Sequence, residues 1–196
     1  MHLVLLEPSH PLRSGVEQAI RTVFAAEYGA KVEALPRILA ALFDDRGTLL
    51  SATGLRFAQD GFFSEHYLDE PVDRLLSRQA GKRVRRSQVV EIGSMAGFRP
   101  ATSLLLVDLV ARRCLDDGLS WAIFTATNRL RALLRRSRIA TIDLVAAARD
   151  RVPDPDRWGS YYLHDPRVVG VNGGALPRFN PCVEPLVKAT AEVSHA

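Results

Sequence analysis

Gln88-Val89-Val90-Glu91-Ile92-Gly93-Ser94-Met95-Ala96 runs through Gly97-Phe98-Arg99-Pro100-Ala101-Thr102-Ser103 into Leu104-Leu105-Leu106-Val107. The first nine residues read as a strand. Pro100 suits the first turn of a helix, and apolar spacing carries that helix to Asp117, before Gly118. Trp121-Ala122-Ile123-Phe124-Thr125-Ala126 is the next strand. Asn128 can cap the helix after it, whose apolar stripe is Leu130, Leu133 and Leu134. This strand-helix-strand-helix block over residues 88–138 sets the class as α/β (α+β).

Toward the N-terminus, Leu3 to Leu6 is a short strand ending at Pro8. Ser14 can cap a helix with Glu17 as its capping-box partner; Val16, Ile20, Val23 and Phe24 then recur at helical spacing until Gly29. Arg37 to Phe43 and Thr48 to Thr53 flank Asp44-Asp45-Arg46-Gly47 and read as a β-hairpin. Past Pro71, the residues Val72, Leu75 and Leu76 mark a short helix. Toward the C-terminus, Ile139 to Val145 reads as a strand, Pro153 to Asp156 as a loop, and Trp158 to Leu163 and Val168 to Val171 as extended segments. A hairpin beside strand-helix-strand units implies a mixed sheet flanked by helices, with right-handed crossovers. On the long helix, Asp108, Arg112 and Asp116 lie four apart, which predicts a solvent-facing row of ion pairs.

At 196 residues, 47% hydrophobic and 24% charged, the chain suits one globular domain and excludes disordered and collagen-like classes. The longest apolar run, Leu104 to Val107, falls far short of the roughly 18 residues of a membrane span. The start lacks the basic region and cleavage site of a signal peptide. Two cysteines make no disulfide framework. Cys114 falls in an apolar helical pattern and reads as a buried thiol; one bridge to Cys182 stays open, and the expected compartment is cytoplasmic. None of the five histidines has metal-ligand spacing, and no Gly-x-Ser-x-Gly or Walker-type loop occurs.

Four features carry chemistry, each with two readings. The turn at Arg99 to Ser103 offers helix amides, a cation and hydroxyls to an anion, or is a plain strand-to-helix connection. Glu91 can serve as a general base or hold a cationic group, or simply face water between Val90 and Ile92. Lys82-Arg83-Val84-Arg85-Arg86 and the group Arg129, Arg131, Arg135, Arg136 and Arg138 suit an acidic or phosphate-rich partner, or are solvated faces. Trp158-Gly159-Ser160-Tyr161-Tyr162 can wall a pocket, or pack as an edge strand.

Taken in order, Phe63-Ser64-Glu65-His66-Tyr67-Leu68-Asp69-Glu70-Pro71-Val72, Val90 to Ala96, Trp121 to Thr127 and Trp158 to Tyr162 resemble the bacterial thermostable hemolysin family. That family is similar to the acyl-homoserine-lactone synthases and, more distantly, to the Gcn5-related N-acetyltransferases. The resemblance implies one such acyltransferase domain over residues 1–175, with a mostly antiparallel central sheet, and an irregular tail over 176–196. It implies that the fourth strand splays from the fifth to admit an acyl thioester. Two departures stand out. The phosphate turn lacks the glycines of the acetyltransferase pattern, and Ser94 stands where the hemolysin family commonly has Asn.

The activity so implied is transfer of an activated acyl or aminoacyl group to a small-molecule amine in secondary metabolism. Glu91, Ser94 and Tyr161 would be catalytic, with backbone amides along Ile92 to Met95 polarising the acyl carbonyl. Met95, Arg99, Ala101, Thr102, Ser103 and Asn128 would bind the donor. Glu65, Tyr67, Thr125, Trp158, Ser160 and Tyr162 would line the acceptor pocket. Lys82, Arg83, Arg85, Arg86, Arg135 and Arg136 would dock a carrier. No tightly bound cofactor and no metal are expected; the co-substrate is acyl-CoA, an acyl carrier protein or an aminoacyl-tRNA. The alternatives are an S-adenosylmethionine-using synthase and a lytic membrane-surface protein.

Overall fold

The computed structural model describes residues 1–99 and 102–175. Its strands are β1 (His2–Leu6), β2 (Ile38–Phe43), β3 (Leu49–Arg56), β4 (Val89–Gly97), β5 (Trp121–Ala126), β6 (Ile142–Ala146) and β7 (Arg167–Asn172). The helices are α1 (Arg13–Tyr28), α2 (Val72–Ala80), α3 (Thr102–Asp116) and α4 (Asn128–Arg136). One sheet runs β1-β2-β3-β4-β5-β7-β6. Among these strands β4 and β5 alone pair in parallel, and the other neighbours are antiparallel. A parallel pair needs a long crossover, and α3 provides it. The sheet is therefore mixed, mostly antiparallel and flanked by helices, as the sequence implies.

Strand alternation assigns the two faces. Val90 and Ile92 pack with Leu106, Val107 and Val110 of α3 and Leu134 of α4. On the opposite face, Val89 packs with Val72 and Leu76 of α2, and Ala96 with Val16, Ile20 and Phe24 of α1. An odd-numbered residue thus faces α1 and α2 early in β4, and an even-numbered one does so late. The switch is a bulge: Gly54 pairs with Gly93 and Ala52 with Ala96, so β4 advances three residues where β3 advances two. Ser94 sits in it with a left-handed φ of 52°. One extra residue turns every later side chain to the other face.

Several local expectations need correction. Ser14 does not cap α1; Leu12 holds the cap position without a side-chain bond. The helix starts early because buried Arg13 donates to the carbonyls of Leu6 (3.0 Å), Pro36 (2.8 Å) and Arg37 (2.6 Å). Glu17 then accepts from Arg13 and Arg21, one turn on either side. Thr127, not Asn128, caps α4, its hydroxyl accepting from the Leu130 amide. Asp108 does not face solvent: it is 4% exposed and bonded to Arg112 at 2.8 Å. Strand β6 begins at Ile142, because Arg138 turns left-handed (φ 58°) and sends buried Ile139 back to the end of α4.

The largest departure is at residues 158–163, which form helical turns (Pro155–Trp158, Tyr161–His164) instead of extended chain. The cause is contact with the end of α1. The Ser160 amide donates to the Tyr28 carbonyl at 2.8 Å, and the Lys31 amide to that of Arg157 at 2.7 Å. Gly159 has φ 52°, and a Cβ there would lie 2.0 Å from the Tyr28 oxygen, so only glycine fits. Cys114 is buried as expected, and burial pushes its thiol up to about 12. Ala101, Cys182 and the tail 176–196 lie outside the described residues.

Candidate active site

Pairing of β4 with β5 covers Val89 to Ile92 against Trp121 to Phe124. Both strands continue, β4 to Gly97 and β5 to Ala126. Where they part, a cavity of about 780 Å³ opens, within the range of small-molecule sites. Phe24 and Tyr28 of α1 line it from one face, and Leu130, Leu133 and Arg136 of α4 from the other. The cavity therefore passes through the sheet between β4 and β5.

Glu91 stands at the last paired stretch and lines the cavity while only 4% exposed. Its Oε1 accepts from the Ser64 amide (2.7 Å) and hydroxyl (2.5 Å), and its Oε2 from the Phe63 amide (2.6 Å). The reading of Glu91 as a water-facing side chain is thus wrong; it fastens the Phe63–Tyr67 turn over the sheet. Oε2 keeps a lone pair beyond its single donor. Burial raises the carboxyl above the usual range, against the lowering effects of the Ser64 and Phe63 bonds and the Arg56 charge. The Ser64 hydroxyl also lies 3.0 Å from that of Thr125, which lines the cavity. A hydroxyl chain therefore links the cavity wall to the carboxylate.

Aromatic groups form the wall on the α1 face. Phe63, Tyr67, Trp158 and Tyr161 line the cavity and pack ring to ring, with centroids 5.6 Å apart for Phe63–Trp158 and 5.7 Å for Trp158–Tyr161. The Tyr161 hydroxyl donates to the Thr125 carbonyl at 2.8 Å. That of Tyr67 meets the Tyr162 hydroxyl at 2.9 Å. Burial pushes both the Tyr67 and Tyr161 phenols above their usual range, so both stay protonated.

Of the residues picked from sequence, Glu91, Ser94, Met95, Arg99, Ser103, Thr125, Tyr67, Trp158 and Tyr161 share this cavity. Gly97 permits the approach of Ser103, whose Oγ lies 2.3 Å from where a Cβ would be. Others lie outside the lining. Thr102 donates its hydroxyl to the carbonyls of Leu50 (2.8 Å) and Arg99 (2.9 Å). Asn128 is exposed on α4. Ser160 fastens to Tyr28, and Tyr162 backs Tyr67. Glu65 is paired twice with Arg86, at 2.5 and 2.7 Å, and accepts from the Val72 amide.

That pairing also changes the first basic cluster. Arg86 is taken by Glu65 and Asp73 and lies 4.4 Å over the Phe62 ring. Lys82, Arg83 and Arg85 are exposed, but they precede β4, whose nine residues extend about 30 Å toward the splayed end. The second cluster is the one at the cavity: Arg136 and Arg129 line it together with Arg99, and exposed Arg135 adjoins them. Sequence reasoning named Arg129 only as a member of the second basic cluster, and missed Arg56, Ser64 and the α1 residues Glu27 and Tyr28 as cavity residues. The basic count near 129–138 held a signal for Arg129. For Arg56 and Ser64 the signal lies only in strand register and the return of a distant turn.

The split sheet with a cavity in its gap is a fold shared with solved N-acyl amino acid and acyl-homoserine-lactone synthases. The thermostable hemolysin family model matches residues 6–175, and the chain belongs to that family. No curated protein matches it in sequence. Similar solved structures include FeeM, an N-acyl amino acid synthase from uncultured soil microbes (12% identity, 89% of this chain and 96% of that one, TM-score 0.60). The acyl-homoserine-lactone synthase LasI is 9% identical over 92% and 99% of the two chains, with TM-score 0.59. BjaI, a CoA-dependent acyl-homoserine lactone synthase solved with SAM and isopentyl-CoA, is 14% identical over 87% and 82%, with TM-score 0.55. No helix among the described residues is long and apolar enough to cross a membrane.

Proposed function

We propose that this chain is an acyltransferase that forms an amide between a thioester-borne acyl group and the amine of a small molecule. The observation that carries this reading is the cavity that passes through the split sheet, with buried Glu91 on one face and Arg136 of α4 on the other. Two substrates can then enter from opposite faces and meet beside the β4 bulge. The acyl donor lies on the α4 face, its phosphate held by Arg99, Arg129 and Arg136. The acceptor lies on the α1 face, against the aromatic wall.

At the meeting point the amine nitrogen bonds to the thioester carbonyl carbon. Backbone amides freed from β5 beyond Ile92 polarise that carbonyl, with the Ser94 bulge aiming them. The C–S bond breaks, the amine gives up a proton, and the thiolate takes one up. Glu91 receives the amine proton, either at Oε2 or through Thr125 and Ser64; its raised affinity for protons suits a base. Nothing in this scheme needs a resident cofactor.

Calorimetric titration with acetyl-CoA and a longer acyl-CoA tests the donor side. Micromolar binding by the native protein that weakens at least tenfold in Arg99→Glu and Arg136→Glu supports a free thioester donor. Absence of binding by folded protein moves the donor to an acyl carrier protein or a charged tRNA, to be titrated next. Failure of all three overturns the reading.

A further inference from the structure

Arg56 ends β3 and pairs in register with Glu91 across the β3–β4 ladder. Cross-strand partners share one face of a sheet, with Cβ atoms about 5 Å apart. Both side chains line the cavity. Yet they form no ion pair: the Glu91 oxygens are taken by Phe63 and Ser64, and Arg56 reaches Glu91 only as a charge at longer range. The Arg56 side chain makes no hydrogen bond or ion pair with the described residues. It is half-buried, and its guanidinium has five donors in a planar fork without a fixed acceptor.

The other cations of the cavity differ. Arg129 lies 3.7 Å from Glu27, and Arg136 is exposed on α4, on the donor side. Arg56 is the cation that stands directly across the ladder from Glu91, on the face of the aromatic wall. A carboxylate and an unpaired guanidinium, held a strand apart and prevented from neutralising one another, form a fixed dipole. Its complement is a small molecule with an ammonium and a carboxylate close together. Partial burial strengthens both contacts relative to water, and the fork geometry matches a carboxylate bidentately.

We infer that the acceptor is an α-amino acid: Arg56 holds its carboxylate while Glu91 holds and deprotonates its amine, leaving the side chain against Trp158 and Tyr67. This rests on the acyltransferase reading for its chemistry, but as a binding site it stands alone. The product would keep a free carboxylate, an N-acyl amino acid, with the acyl chain on the opposite face.

The test is calorimetry with the twenty L-amino acids, each set against its carboxamide and, where one exists, its decarboxylated amine. Fluorescence of Trp158 provides a second readout from within the cavity. Native protein should bind at least one amino acid roughly ten- to a hundredfold more tightly than its carboxamide, the range of one charged hydrogen-bonding contact. Arg56→Gln should erase that preference while leaving the amide's affinity within about threefold, and Arg56→Lys should restore part of it. Circular dichroism melts of both variants establish that they are folded. Binding of amines and amino acids with equal affinity, a preference that persists in Arg56→Gln, or no amino acid bound at all would overturn the inference. If Arg56→Gln weakens both classes equally, Arg56 merely tunes the charge of Glu91, which also overturns it. Amino acid binding without any donor binding would instead sink acyl transfer and leave this site intact.

Discussion

The two halves of β4, Val89-Val90-Glu91-Ile92 and Gly93-Ser94-Met95-Ala96-Gly97, differ in composition and in behaviour. Val89 to Ile92 pairs with β5 along its length, Glu91 and Ile92 pair with β3 as well, and all four are buried. Gly93 to Gly97 pairs with β3 alone, carries the left-handed bulge, and faces the cavity. The first half carries Glu91, which accepts three hydrogen bonds from Phe63 and Ser64; the second is unpaired on its β5 side. The contrast teaches that the stable half carries the charge and the frayed half carries the geometry. Changes in the first should harm fold and reaction together, and changes in the second mainly the reaction.

Glu91→Ala is the severest test. It leaves two buried amides and the Ser64 hydroxyl without their acceptor, at about 3 kcal/mol or more of stability. Denaturant melts should show that loss, and turnover should fall at least ~10²-fold. Next is Ser94→Val, which places a β-branched residue at φ 52° and costs about 1–3 kcal/mol. Activity should drop further than the melt explains; a loss that tracks stability alone would erase the contrast. Ser64→Ala removes one hydroxyl from the Glu91–Thr125 chain, about 1 kcal/mol. If the chain carries protons, kcat falls while the acceptor KM stays constant.

The pH dependence sharpens the first half. Burial raises the folded carboxyl of Glu91 above 4.5, so the fold binds a proton there more tightly than the unfolded chain does. Its stability contribution is full below about pH 4.5 and lost as pH rises through the raised value. Melts at stepped pH should show the native protein losing its advantage over Glu91→Gln as pH rises; a widening advantage would reverse the sign. The smallest effect is Ser94→Gly, which relieves the left-handed conformation and should stabilise by no more than ~1 kcal/mol.

Legibility in the sequence followed the range of the signals. The strands β1 to β5, the hairpin and Gly29 as the end of α1 follow from periodicity and turn residues, all local. Glu91 was visible as a carboxylate in an apolar strand, but its environment was not, because Phe63 and Ser64 return to it from 27 residues or more away. Trp158 to Leu163 looked extended because aromatic residues favour strands; contact with α1 overrides that preference. Arg86 looked like part of a docking patch until Glu65 claimed it. Arg56 gave no signal, since its value lies in a register no single segment encodes.

The contact of Ser160 with Tyr28 spans 132 positions of the chain, and it sets a clock. At about 5–20 residues per second of synthesis, the antiparallel strands β1 to β4 leave the ribosome several seconds before the turn that seals the cavity against α1. During that interval the nascent chain has Glu91, the bulge and Arg56 but no roof over them. Ligand binding thus becomes a reporter of completion. Arrested chains ending before Gly159 should be blind to any ligand that the released protein holds.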